Sequence, residues 1–347
     1  MSKSDAAIEI RDLYKIFGRH PKQYVDAVRN GLSKAELGKT HAHILGLNNI
    51  NISMPAGKIQ VVMGLSGSGK STLIRHINRL IEPTSGSITI DGRNILEMSE
   101  LELREFRRNR TAMVFQRFGL LPHRTVVDNV TFGLEVRGVE KARSRDIGMR
   151  WIDRVGLVGF ETRYPHELSG GMQQRVGLAR ALSNDASILL MDEAYSALDP
   201  LIRTDMQSML IELQAELKKT IVFITHDLDE ALRLGDRIVI LRDGLIIQQG
   251  DSQDILLNPA DDYIARFVKD VNRGRFIKVD AVMDRALQTE NKSLPRLKTG
   301  TTLEAAAKEL TNTSYDAAVV NDDGGRPLGL VSLRQITAAL SSAVKAN

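Results

Sequence analysis

The chain has 347 residues, 42% hydrophobic and 26% charged, with a formal net charge of +4 and no cysteine. These totals describe a soluble globular chain of about two domains and exclude disulfides and thiolate metal sites; the missing thiols also fit a reducing compartment. No stretch approaches ~18 uninterrupted apolar residues and residues 1–11 lack a signal-peptide core, so neither a bilayer span nor a cleaved leader is expected. The small positive charge fits a mixed solvated surface better than a nucleic-acid or lipid face.

Residues 8–13 alternate like an edge strand, and Phe17 follows, an aromatic able to stack on an adenine or to fill a core. Residues 19–45 are polar and basic, with a helix-like middle that Ser33 can cap. His41 and His43 in this segment have no nearby carboxylate or thiol and read as surface residues, not ligands. Residues 49–53 alternate as a strand, and Pro55-Ala56-Gly57 turns the chain into a short apolar strand, residues 59–63.

Next comes Gly64-Leu65-Ser66-Gly67-Ser68-Gly69-Lys70-Ser71-Thr72, followed by helical spacing of Leu73, Ile74, Ile77 and Leu80 over residues 73–81. Strand, glycine-rich loop, Lys-Ser and helix together form a phosphate cradle. The glycines let successive N–H groups curl toward phosphate oxygens, and the helix adds the positive end of its dipole. Lys70 can reach the β- and γ-phosphates, and the Ser71 hydroxyl is placed to ligate Mg²⁺.

A turn at Pro83-Thr84-Ser85-Gly86 leads to a strand over residues 87–92. Residues 101–110 read as a basic helix with Arg104, Arg107 and Arg108 on one face, solvated or set near lipid headgroups. Residues 111–115 read as a buried strand ending at Gln116, whose amide can coordinate Mg²⁺ and an attacking water. Residues 126–136 and 141–155 look helical. Ser169-Gly170-Gly171 then opens a further helix, a second anion-binding arrangement. The chain thus has two phosphate-binding helix starts and one lysine-bearing loop.

Residues 187–193 are an apolar strand ending in Asp192-Glu193. Beside a phosphate loop, the first acid is placed to hold Mg²⁺ and the second to polarise water for attack on a γ-phosphate. Adjacent residues on an extended strand point opposite ways, so both roles fit only where the strand frays. Ser196-Ala197-Leu198-Asp199 forms a turn and Pro200 opens a helix to residue 218. Residues 221–225 are another buried strand with His226 at its tip and Asp227 capping the next helix. His226 therefore falls at the sheet edge where ligands of open α/β sheets gather.

In this order the motifs resemble the ATP-binding cassette of ABC transporters, over residues 8 to about 267. One departure is Met172, where the signature usually has Gln; Gln173 follows. The resemblance implies an α/β P-loop NTPase cassette over residues 1–270, with a RecA-like core, an antiparallel β subdomain and a helical subdomain at about 117–182. It implies that Phe17 stacks on adenine, and that Gly64, Leu65, Ser66, Gly67, Ser68, Gly69, Lys70, Ser71, Thr72 and Asp192 bind ATP. Glu193 is implied as catalytic base, His226 as γ-phosphate switch, and Gln116 as the link to a membrane partner. Ser71, Gln116 and Asp192 would hold Mg²⁺. Ser169, Gly170, Gly171, Gln173 and Asp199 would contact the ATP held by a second copy, in a head-to-tail homodimer with two ATP molecules between its subunits. Expected partners are transmembrane permease subunits and a substrate-binding protein, not nucleic acid, at the cytoplasmic face of the inner membrane.

Within the family the chain is similar to glycine betaine/proline/choline import subunits. The marks are Asn30-Gly31-Leu32-Ser33-Lys34 in the insertion, Met63-Gly64-Leu65-Ser66-Gly67-Ser68, and Asp199-Pro200-Leu201-Ile202-Arg203-Thr204. Residues 278–342 resemble a single small α/β CBS domain, through Val282-Met283-Asp284, a helix at 302–310, Tyr315-Asp316-Ala317-Ala318-Val319-Val320 and Gly324-Gly325-Arg326-Pro327-Leu328-Gly329-Leu330-Val331. Nucleotide or ionic-strength sensing, pairing across a dimer and plain dimerisation stay open for it. Three other readings compete with quaternary-amine import: an ABC importer ATPase for another small polar solute such as an amino acid; a soluble ABC ATPase acting on nucleic acid or ribosomes, against which stand the single cassette and the lack of heptads; and a regulatory module centred on the tail.

Overall fold

A computed structural model describes residues 6–116, 118–286 and 293–341. Residues 117 and 342, at the limits of the expected helical subdomain and tail, lie outside that set. The chain forms two compact units, Met1–Ile247 and Gln248–Asn347.

In the first unit, β1 (Ala6–Phe17) and β2 (Ile44–Pro55) pair antiparallel, with Phe17 opposite Ile44. Between them lie α1 (Val25–Arg29) and α2 (Lys34–His41). Ser33 and Glu36 close a capping box that satisfies two otherwise orphaned amides at the start of α2. Tyr14, Ile16, Val25, Val28, Leu37 and Leu45 make a small core beneath. His43 is not the surface residue expected. It is only 6% exposed, and its ring nitrogens lie 2.6 Å from the His41 carbonyl and 2.7 Å from the Arg19 carbonyl, which clips the two ends of the insertion together.

All five residues of β3 (Ile59–Met63) are buried. The following helix, α3 (Lys70–Ile77), starts three residues before the apolar spacing indicates and stops before Leu80. Asn78 leaves helical dihedrals and Arg79 turns left-handed (φ 52°), so Leu80 emerges exposed. β4 (Ser85–Ile90) and β5 (Arg93–Asn94) complete a four-stranded sheet of order β2-β1-β4-β5. β1 is therefore an interior strand, not an edge. Its alternation reflects one packed face and one open face, the usual state of an antiparallel sheet.

α4 (Glu100–Asn109) opens on a second capping box, Ser99 with Glu102. Arg107 does not lie on a solvated face: its Nε and Nη2 donate to the Asn78 and Arg79 carbonyls at 2.9 and 2.6 Å, holding the chain that leaves α3. β6 (Thr111–Val114) follows, then α5 (Val126–Val136), α6 (Lys141–Arg154) and α7 (Gly170–Ser183). Val126, Val127, Val130, Ile152, Val155 and Val176 are among the residues that pack these three helices together.

The chain continues through β7 (Ile188–Asp192), α8 (Pro200–Leu217), β8 (Thr220–Thr225), α9 (Leu228–Leu234), β9 (Arg237–Arg242) and β10 (Leu245–Gly250). The six-stranded sheet runs β10-β9-β3-β8-β7-β6. β6 is thus an outer strand and only partly buried, unlike the expected buried one, because a single neighbour covers its edge. β3, β7 and β8 are parallel and buried along their whole length, with Met63 beside Thr225 and Asp192 beside Ile224. That register brings three strand ends to one edge of the sheet.

In the second unit, α10 (Ser252–Leu257) and α11 (Asp262–Phe267) precede β11 (Arg296–Lys298), α12 (Leu303–Thr311), β12 (Ala317–Asn321), β13 (Pro327–Ser332) and α13 (Leu333–Ser341). β12 is the centre of a three-stranded sheet, parallel to β11 and antiparallel to β13.

His76 gives this fold a pH signature. It is fully buried in α3; its Nδ1 donates to the Thr72 carbonyl, its Nε2 has no partner among the described residues, and burial holds its pKa down at about 4 against an ordinary 6.5. Between those values the unfolded chain carries a proton that the native imidazole refuses. Stability therefore falls as pH drops from 6.5 to about 4, by at most about 3 kcal/mol from this group. His76→Leu should lose less stability than the parent chain between pH 7 and pH about 4.5 in urea titrations. Equal losses in both proteins would refute this origin.

Candidate nucleotide site

The phosphate loop joins β3 to α3, and its outer glycines are required by space. Gly64 has φ 149° and a Cβ there would stand 2.1 Å from the Leu241 carbonyl oxygen; Gly69 has φ 105° and a Cβ there would stand 2.7 Å from the Gly46 carbonyl oxygen. Lys70, on the first turn of α3, is 4% exposed. Its Nζ donates to the Gly64 and Leu65 carbonyls at 2.9 and 3.1 Å and lies 3.5 Å from Glu193 Oε1. Ser68 Oγ is buried with no hydrogen-bond partner. An ammonium held by loop carbonyls beside an orphaned hydroxyl is the donor set of an anion cradle.

Ser71 Oγ donates to Asp192 Oδ1 at 2.9 Å, joining the start of α3 to the end of β7. Burial pushes the Asp192 carboxyl above its ordinary pKa, while the Ser71 hydrogen bond and Arg75 oppose that shift. Arg75 Nη2 lies 3.9 Å from Asp192 Oδ2. Sequence reasoning missed Arg75, although four residues after Ser71 it falls on the same helix face.

Glu193 departs from the frayed strand end expected for it. β7 stops at Asp192 and Glu193 takes a left-handed conformation, φ 47°. The turn is pinned: its N–H donates to the Ile224 carbonyl at 3.1 Å, and Ser196 Oγ donates to its carbonyl at 2.9 Å. The reversal sets the Glu193 carboxylate 3.2 Å from Gln116 Nε2 and 3.4 Å from His226 Nδ1, as well as beside Lys70. Gln116 and His226, at the ends of β6 and β8, thus meet Lys70, Ser71, Asp192 and Glu193 in one place. His226 is 55% exposed and its ring is free to meet a ligand.

Phe17 is not core. Its ring is 38% exposed, with Lys15 Nζ 4.9 Å from the centroid. The ring lies against Gly46, where a Cβ would be 2.7 Å from Phe17 Cε2, and the Gly46 carbonyl abuts Gly69. An aromatic platform therefore stands one residue away from the phosphate loop.

The second anion motif is elsewhere in the chain. Ser169 caps α7 by accepting from the Met172 N–H, and Gln173 Nε2 donates to the Leu168 carbonyl. Gly171 lies against Ile202, and Asp199 caps α8 by accepting from the Ile202 N–H. Among the described residues no hydrogen bond joins residues 169–173 to the phosphate loop.

Comparison with known proteins places the chain in a family. Residues 47–196 match the ABC transporter family model and residues 285–342 the CBS domain model. The chain is 53% identical to the glycine betaine transport ATP-binding protein of Bacillus subtilis, over 80% of this chain and 67% of that protein. It is 47% identical to the glycine betaine/proline betaine transport ATP-binding protein of Escherichia coli, over 96% of this chain and 82% of that protein. Among solved structures it resembles a dimeric, post-hydrolysis ATP-binding cassette bound to ADP and Pi: TM-score 0.60, 30% identity, covering 71% of this chain and 98% of the other. The chain belongs to the family of ABC transporter ATP-binding proteins that includes these glycine betaine and proline betaine transport subunits.

Proposed function

We propose that this chain is the ATP-hydrolysing subunit of an importer for quaternary ammonium compounds such as glycine betaine, proline betaine or choline. It works as a homodimer on transmembrane permease subunits at the cytoplasmic face of the cell membrane, with a substrate-binding protein delivering the solute. The cassette spans residues 1–270 and the CBS-like tail residues 278–342. The substrate class rests on the names of the relatives; the chemistry rests on one observation, the left-handed turn that gathers the Glu193 carboxylate, Lys70, Gln116 and His226 beside the Ser71–Asp192 pair. The dimeric state of the solved neighbour supports the two-copy reading.

The Ser71 hydroxyl, the Asp192 carboxylate and the Gln116 amide offer hard oxygen donors that fit Mg²⁺. Among the described residues no cluster of three or more His, Cys, Asp or Glu could hold a metal by itself, in keeping with an ion that shares its shell with a nucleotide's phosphates. When bound, Mg²⁺ neutralises charge on the phosphates.

The chain's own residues do the rest. Phe17 supports the adenine ring, and the residue 64–69 amides and Lys70 take the phosphates. Glu193 orients a water and accepts its proton as the water oxygen bonds to the γ-phosphorus and the bond to the ADP oxygen breaks. Gln116 positions that water and His226 donates to the γ-phosphate. Ser169, Gly170, Gly171, Gln173 and Asp199 of a second copy close the pocket, and ATP-driven closure shifts the permease between its inward and outward states.

Glu193→Gln removes the proton acceptor and keeps the side chain's shape. Turnover should fall by about 100-fold or more while ATP-dependent dimers persist in size-exclusion chromatography. Normal turnover would place the base elsewhere. Ser71→Ala should weaken ATP binding about tenfold with Mg²⁺ present and hardly at all in EDTA. An equal loss in both conditions, read by calorimetry, would remove Ser71 from the metal's shell.

A further inference from the structure

Arg203 sits on the first turn of α8, outside the nucleotide site, and bridges two of that site's loops. Its Nη2 donates to the Leu198 carbonyl at 3.0 Å, in the turn that follows Glu193. Its Nη1 lies 3.4 Å from Asp227 Oδ2, in the residue after His226. Both ends of this bridge are themselves fixed. On one side Ser196 and Leu198 fold the turn back with hydrogen bonds to the Glu193 and Tyr195 carbonyls. On the other, Asp227 Oδ1 caps α9 by accepting from the Glu230 N–H at 3.0 Å, and the Asp227 N–H donates to Thr225 Oγ1 at 3.0 Å.

A buried network lies behind the bridge. Thr225 Oγ1 donates to the Glu230 carboxylate, Gln207 Nε2 donates to the same carboxylate at 3.2 Å, and Arg233 holds Gln207 Oε1 at 2.9 Å. The network ties α8 to α9, but it touches only the His226 side. Arg203 carries the tie across to the Glu193 turn, beside a longer hydrogen bond from Tyr195 Oη to the Met206 carbonyl of α8 at 3.4 Å.

From this we infer that Arg203 is a positioning residue: it holds His226 against Glu193 by clamping the 196–199 turn to the 226–227 turn. The forked guanidinium suits the task because its two donors lie in one rigid plane, whereas a single ammonium cannot span both acceptors. Arg203 Nε is buried without a partner among the described residues, a cost the side chain carries to keep this orientation. The His226–Glu193 separation is 3.4 Å. A displacement of about 1 Å at such a contact is enough to cost on the order of 100-fold in rate.

The inference rests on the ATPase reading above and is tested in the full chain with MgATP. Arg203→Met should lower kcat about 10- to 100-fold and leave KM for ATP within about threefold, because the phosphate loop is untouched. Asp227→Asn cuts the same link from the other side while an Asn still caps α9, and should reproduce the pattern. The decisive comparison is with His226→Ala. If Arg203 acts through His226, Arg203→Met costs less than about twofold more in that background. The same fold-loss in both backgrounds, or a raised KM with kcat unchanged in both Arg203→Met and Asp227→Asn, would overturn the positioning role and leave the ATPase reading intact. A wild-type chain with no turnover would overturn the ATPase reading, and this inference with it.

Discussion

The site depends on a single backbone reversal. Had Glu193 continued the extended geometry of β7, its side chain would project from the opposite face of the sheet to Asp192, and no strand-end pair could serve one ligand. A left-handed non-glycine residue costs on the order of 1–3 kcal/mol. The hydrogen bonds to Ile224 and from Ser196 offset that cost, and the fully buried β7 and β8 leave the turn nowhere to relax. Strain is tolerated here because packing over-determines it. The result is one carboxylate within reach of an ammonium, an amide and an imidazole carried on three other segments.

Charge balance follows from the same arrangement. Lys70 and Arg75 face Glu193 and Asp192, so two cations meet two acids in a partly buried cleft. Ion pairs in such places are rarely a net source of stability, since desolvation of the charges rivals their attraction. The raised pKa of Asp192 expresses that tension. Stability must come from apolar burial around Val62, Leu190, Val222 and their neighbours, and the charged cleft is a preorganised binding surface carried at some cost to it.

Much of this was legible before any coordinates. Parallel strands buried on both faces must be continuously apolar, so β3, β7 and β8 announce themselves as short apolar runs, and the residues at their ends follow. Gly64 and Gly69 are legible for the same kind of reason: no Cβ fits at either. What stayed hidden depends on partners distant in sequence. Whether β1 lies inside or at the edge of its sheet is decided by β4, more than sixty residues later. His43 becomes buried through the Arg19 carbonyl, and Arg107 is withdrawn from solvent by carbonyls that appear only because α3 ends at Ile77. β9 and β10 carry no motif, and nothing in local spacing separates them from other apolar stretches; β11 offers only Leu297 between two charged residues.

The left-handed turn also makes the chain's two helix starts unequal. The loop before α3 has its own cation in Lys70, and everything gathered by Glu193 lies on its side. The start of α7 has none: Ser169 is engaged by Met172, and the first two helical amides, Gly170 and Gly171, have no intrahelical acceptor by the geometry of a helix end. Two amides and a hydroxyl make a weak anion site unless a cation is supplied from outside. In the proposed homodimer, a triphosphate held by the Lys70 of a second copy would bring that charge balance with it. In the proposed homodimer, an arrangement with the acid, amide and imidazole at one helix start and only donors at the other gives two half-sites that each copy completes for its twin.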